Sequence, residues 1–226
     1  MNTGVGDAVD LAWKLDAGLR GWGGGELLTS YEAERRPIAV RNVEEATRNF
    51  RRRDTYVIGP NITEDTTTGA DQREAFTEAL YANNVRRHYE VEGMALGYRY
   101  EHSPVICPDG TSEPPDDSIE YLPTARPGHL APHAWTKPGI STLDLFGKQF
   151  VLLRFGAAPP DAGPLQSAAD ACGMPLLVHD IAKEETERLY DGKLVLVRPD
   201  GHVAWRANKA GEDAAAIINR VRGVAG

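Results

Sequence analysis

From Val5, the apolar residues Val9, Ala12, Leu15 and Leu19 recur at helical spacing, behind Asn2 and Thr3, whose side chains are of the kind that cap helices. The pattern predicts a helix from about Gly4 to Leu19, weakened by Gly4, Gly6 and Gly18, each costing about 1 kcal/mol relative to alanine. Such a helix needs tertiary support. "GWGGGELL" reads as a turn or loop, and Thr29 with Glu32 reads as a capping box opening a second helix through "SYEAERR". Pro37 then either kinks that helix or starts a further one, "PIAVRNVEEATRNFRRR". Beyond the polar "GPNITEDTTTGADQ", the segment "REAFTEALYANNVRRHY" is helical in pattern, with Phe76, Leu80 and Val85 on one side. "GMALGYRYEHSPVI" is strand-like, and "CPDGTSEPPDDSIEYLPTARPG", crowded with proline, glycine and acids, marks a domain boundary near residue 125.

The second half has another rhythm. "QFVLLRF" and "PLLVHDI" are apolar runs of strand length, each followed by a helical segment ("PLQSAADACG", "AKEETERLYD"). "KLVLVR" and "HVAWRA" flank the Pro199-Asp200-Gly201 turn, and "AGEDAAAIINRVRGV" closes the chain as a helix. The order β, α, β, α, β, β, α calls for a parallel pair joined by a right-handed crossover and an antiparallel hairpin, a mixed sheet covered by helices. That order resembles the thioredoxin fold. The fold class is therefore α/β of mixed α+β character: a mostly helical part over 1–125 and a thioredoxin-like domain over 126–226 with a central mixed sheet.

Composition changes this picture little. At 226 residues with 41% hydrophobic and 26% charged positions, the chain reads as an ordinary globular protein. A formal charge of −8 makes nucleic acid and anionic membranes poor default partners. The basic runs Arg51, Arg52, Arg53 and Arg86, Arg87 read as solvated faces or as complements to helix carboxyl ends. No segment approaches the roughly 20 apolar residues of a membrane span, and no basic-then-apolar secretion signal opens the chain, so a cytoplasmic location is expected.

Candidate chemistry is sparse. A redox-active thioredoxin-like domain carries its nucleophilic cysteine just after the first strand, where a helix amino end lowers the thiol pKa. Here that place reads "RFGAAPPDAGPLQ", without cysteine, and no proline stands before the hairpin in "YDGKLVLV". Cys172 falls at the far end of the following helix and reads as a small buried hydrophobe. A redox-inactive domain follows, which leaves little support for a thiol peroxidase or reductase. Cys107 and Cys172 belong to no CxxC pair. His129 and His133 have the spacing of a helical metal pair, but Pro127 and Pro132 argue against a helix there, and no metal site is assigned. GxSxG, GxGxxG and GxxxxGK[ST] are absent, and no catalytic residue is assigned.

"MNTGVGDAVDLAWKL", "SYEAERRPIA", "LGYRYEHSPVI", "RPGHLAPHAW", "STLDLFGKQFVLLRFG" and "LVLVRPDGHVAWR" together resemble the carboxy-terminal part of the FAD-dependent aromatic hydroxylases, the phenol hydroxylase-like single-component flavoprotein monooxygenases. The resemblance extends over nearly the whole chain. It implies FAD as cofactor, NAD(P)H as co-substrate, and hydroxylation of a phenolic or polyketide-like aromatic small molecule. It also implies that residues 1–125 are the end of a flavin- and substrate-binding domain, in which a helix beginning MNTG points its amino end at the pyrimidine edge of the flavin. Met1, Asn2, Thr3 and Gly4 are the positions that correspond to that cofactor-binding turn, where free backbone N–H groups favour an anion. The family's GxGxxG unit and GD motif have no counterpart here. The chain thus reads as a fragment starting at an internal methionine, colourless when purified and inactive without a flavin-binding half. The rival reading is a non-catalytic thioredoxin-like module for interaction or oligomerisation, presenting the apolar side of its first helix.

Overall fold

In the computed structural model, residues 2–53, 56–83, 90–209, 211 and 213–224 are described. Met1, Val85, Arg86 and Arg87 lie outside the described residues. Two compact units are formed: Met1–Ile38 with Tyr98–Pro115 and Leu122–Gly226, and Ala39–Gly97 with Asp116–Tyr121. These units cut the chain differently from a boundary near 125, because the first 38 residues pack with the carboxy-terminal sheet.

The larger unit is built on a four-stranded sheet of β3 (Phe150–Phe155), β4 (Leu176–Ile181), β5 (Leu194–Val197) and β6 (Val203–Ala207), in the spatial order β4-β3-β5-β6. A two-stranded ribbon of β1 (Trp135–Lys137) and β2 (Ile140–Ser141) precedes it. β3 and β4 are parallel, joined through α5 (Gly163–Ala171), while β3 with β5 and β5 with β6 are antiparallel. α6 (Glu184–Tyr190) and α7 (Ala214–Val221) complete the expected thioredoxin-like order. β5 throughout, and β3 but for Arg154, read as continuous apolar runs because both sheet faces are covered there. Phe150, Leu152, Leu194 and Leu196 enter one core with α5, α7, Trp13 and Trp22, while Val151, Leu153, Phe155, Val195 and Val197 enter a second with Tyr190.

α1 (Asn2–Leu19) forms as expected, but its apolar stripe is not its buried side. Val5 is 61% exposed and Leu19 90%, with Val9 and Leu15 also exposed, while Asp10, Trp13, Lys14 and Ala17 face inward. Trp13 and Trp22 both meet Phe150 edge-on, with ring centroids 5.8 and 6.1 Å away.

α2 (Gly25–Arg53) excludes a new helix at Pro37 and corrects the expected helix start. It is one helix that runs through Pro37, and it starts before the expected capping box. Its first amides are met by the far end of the chain: Glu26 N–H donates to the Gly223 carbonyl at 2.9 Å, and Gly24 N–H to the Arg222 carbonyl at 2.6 Å. Thr29 lies inside the helix, its hydroxyl donating to the Glu26 carbonyl. A Cβ on Gly24 would stand 2.2 Å from the Gly223 carbonyl oxygen, so this approach requires glycine.

In the smaller unit, α3 (Thr67–Ala82) is capped by Thr66, whose hydroxyl oxygen accepts from Gly69 N–H, and Phe76 and Leu80 are half-buried. The segment read as strand-like contains a short helix, α4 (Glu92–Leu96), instead. Gly93 and Met94 donate their N–H groups to the Ile119 and Ser118 carbonyls, a pairing that needs the bare Cα of Gly93. Arg52 in the last turn of α2 is paired with Asn49 and Glu45.

Candidate functional site

The residues expected to meet a cofactor fall at the amino end of α1. Asn2 opens the helix, Thr3 is half-buried, and Gly4 is exposed with open space where a Cβ would be. Helix starts leave backbone N–H groups without intrahelical acceptors, and no acidic residue stands in the first turn of α1 to neutralise them. A flat, electron-rich ring edge fits this end, since amides point outward and Gly4 permits close backbone approach.

α2 reaches that turn with one side chain. Arg35, buried, donates from Nε to Asp7 Oδ1 at 2.8 Å, from Nη2 to the Thr3 carbonyl at 3.3 Å and from Nη1 to the Tyr100 hydroxyl at 3.1 Å. Its guanidinium also lies over the Tyr98 ring, 5.5 Å from the centroid.

Farther along α1, a buried ion cluster joins it to α2 and the β5–β6 turn. Arg198, fully buried, donates to both oxygens of Glu34 at 2.5 and 2.9 Å, to Asp10 at 2.9 Å and to both oxygens of Asp200. Lys14 donates to Asp10 at 2.9 Å and to Glu34 at 2.6 Å, and Ser103 donates to Glu34. Trp13 and Tyr100 flank the Arg198 guanidinium at 4.9 and 5.2 Å, and Tyr100 stacks on His202 at 4.1 Å. Burial pushes the Glu34 carboxyl up, but the charge and hydrogen bonds of Arg198 with the charge of Lys14 outweigh it and bring it down to about 2. Burial also raises Asp10, to about 7, more than Arg198 pulls it down. Burial lowers His202, which is therefore neutral at pH 7.

Sequence reasoning missed this cluster. Its charged residues sit in three separate segments, and only the i, i+4 spacing of Asp10 and Lys14 hinted that they share a face.

The remaining candidates are separated. His129 meets Glu113 at 3.3 Å and His133 meets Ser141 at 3.1 Å, in irregular backbone, so they are not brought together. Cys172 caps the carboxyl end of α5 and its thiol donates to the Ala169 carbonyl, while burial pushes the Cys107 thiol up to about 11. At the amino end of α5, Asp161 accepts from Gly163 N–H where an active thioredoxin would hold its thiol. A cavity of about 350 Å³ in the smaller unit is lined by Arg41, Arg48 and Arg52, but each is paired with a carboxylate, Asp116 or Glu45.

Residues 124–225 match the family described as aromatic-ring hydroxylase, C-terminal, and residues 1–46 match the family described as FAD binding domain. The chain belongs to the FAD-dependent aromatic-ring hydroxylases. The chain is 33% identical over 93% of its length to FAD-dependent monooxygenase opdD of Penicillium oxalicum, covering 42% of that protein. It is 33% identical over 99% of its length to 2,4-dichlorophenol 6-monooxygenase of Delftia acidovorans, covering 44% of that one. RebC, solved after soaking with chromopyrrolic acid and holding 7-carboxy-K252c, is 41% identical and superposes on the whole chain with a TM-score of 0.92, 42% of RebC being covered. The chain thus spans about two fifths of the length of these relatives.

Proposed function

We propose that this chain supplies the carboxy-terminal part of an FAD-dependent cytoplasmic monooxygenase that uses NAD(P)H to hydroxylate a phenolic or polyketide-like aromatic substrate. The observation that carries this reading is the FAD-binding match over residues 1–46, which coincides with a helix amino end open at Gly4 and free of acid in its first turn. Bound FAD would supply the redox chemistry of the hydroxylation. Met1, Asn2, Thr3 and Gly4 would hold the pyrimidine edge, the N–H groups of a helix start favouring negative charge there. Residues 126–226 contribute a redox-inactive thioredoxin-like domain that holds α1 in place.

Grip on FAD by one helix end is weak, because a dipole contact contributes only about 0.3 to 1 kcal/mol. The rest of the groove belongs to a flavin-binding half, and the exposed residues Val5, Val9, Leu15 and Leu19 are the surface for that association. The same exposed stripe supports a second reading, a non-catalytic module that assembles through α1 with copies of itself.

Absorbance spectra separate the two. The chain alone is expected to be colourless and to lose added FAD on gel filtration. Supplied with the part of RebC that it does not cover, it is expected to retain FAD and oxidise NAD(P)H. Stoichiometric yellow flavin on the chain alone, or no flavin retained by the pair, overturns the first reading; self-association without flavin in either case supports the second.

A further inference from the structure

We propose that Arg35 is a positioning residue for the amino end of α1, and that residue 6 is glycine so that the guanidinium can lie against the helix backbone. The inference rests on the reading that this end meets FAD. Thr3, Gly6 and Asp7 are spaced i, i+3 and i+4 and therefore share one face of the first two turns. Arg35 touches all three. It donates to the Thr3 carbonyl and the Asp7 carboxylate, and a Cβ on Gly6 would stand 2.8 Å from Nη2 and 3.3 Å from Cζ.

An arginine end is usually free to swing away from such a clash. This one is not. Its third edge is taken by the Tyr100 hydroxyl and its flat face by the Tyr98 ring, and Tyr100 is itself stacked on the buried His202 of the β5–β6 turn. A planar fork with fixed donors is thus seated between α1 and the thioredoxin-like sheet, which a lysine cannot imitate. Because the Asp7 carboxylate neutralises it at 2.8 Å, its contribution to the helix end is geometric rather than one of field. The first-turn amides are set before any ligand arrives, and the ordering cost is removed from binding.

The test uses the 15N-labelled chain, paired with the part of RebC that it does not cover, with FAD as probe. In the wild type, the amide resonances of Thr3, Gly4 and Val5 are expected to shift saturably with FAD. Arg35→Lys and Gly6→Ala are each expected to weaken that response roughly fivefold or more, and to speed hydrogen exchange at Gly6 and Asp7 roughly tenfold without changing exchange in β3 and β5. Gly18→Ala, on the same helix with open space around it, is expected to leave the FAD response unchanged. If the wild-type amides do not respond to FAD, the flavin reading fails and this inference with it. If they respond and both variants respond equally, Arg35 does not position the turn, and the flavin reading stands. Should Arg35→Lys also lose protection in β3, Gly6→Ala decides alone.

Discussion

Asp10 is where the buried charges of the larger unit fail to balance. Asp10, Glu34 and Asp200 face Lys14 and Arg198, all out of water, and His202 beside them is neutral. An uncompensated charge buried among these residues would cost several kcal/mol. One proton resolves it, and burial raises Asp10 to about 7, so that Asp10 carries that proton through the mildly acidic range. A carboxyl raised above its unfolded value of 3.8 contributes stability that is complete below that value and lost as pH climbs through about 7. Glu34 runs the other way: lowered from 4.5 to about 2, its contribution is present above 4.5 and is lost as pH falls through about 2. Stability is therefore expected to peak on the acid side of neutrality. Asp10→Asn removes the alkaline arm, and in urea denaturation the variant should gain on the wild type between about pH 5 and about pH 8. Parallel pH profiles for the two proteins would show that Asp10 ionises without cost.

Among the elements, α2 departs furthest from local expectation. Its Pro37 has no N–H for the Ala33 carbonyl, and a ring at that position opposes a straight helix. The helix continues because Glu34, Arg35 and Ile38 on either side are buried in tertiary contacts. Pro37 itself is exposed, so Pro37→Ala is expected to stabilise the fold by about 1 to 3 kcal/mol, read from denaturant midpoints. A loss of stability would mean that the ring is needed where it stands. The start of α2 shows the same override. Thr29 and Glu32 had the spacing of a capping box, yet the carbonyls of Arg222 and Gly223 satisfy amides at residues 24 and 26 and the helix begins there. α4 was hidden for a related reason, since the pairing of Gly93 and Met94 with Ser118 and Ile119 depends on residues distant in sequence.

At the scale of the molecule, the exposed stripe of α1 becomes an argument about assembly. A helix that turns Asp10 and Lys14 inward and Val5, Val9 and Leu19 outward reverses the usual preference. The reversal is stable here because Arg198 and Glu34 receive the inward charges. The outward apolar residues then contribute nothing to this chain's own core. Val9→Lys is accordingly expected to change folding stability by less than about 0.5 kcal/mol while abolishing flavin retention with the complementary part of RebC. A large loss of folding stability would place Val9 in the chain's own core, and undiminished flavin retention would remove the stripe from the association.

The sequence by itself determined the sheet and the family motifs. Leu194–Val197 is apolar at every position and Phe150–Phe155 at all but Arg154, as suits strands covered on both faces, so the strands themselves were legible from local pattern. It also determined that Asn2, Thr3 and Gly4 stand at a helix start, because the helical spacing of the residues after them is local. What lies behind that start was decided only in three dimensions. A buried charge cannot be told from a solvated one until its partners are brought to it, and the partners of Asp10 and Glu34 come from a turn near the other end of the chain. The role of Arg35 has the same origin: its hold on α1 depends on a clearance at Gly6 and a hydroxyl at Tyr100 that only packing brings together.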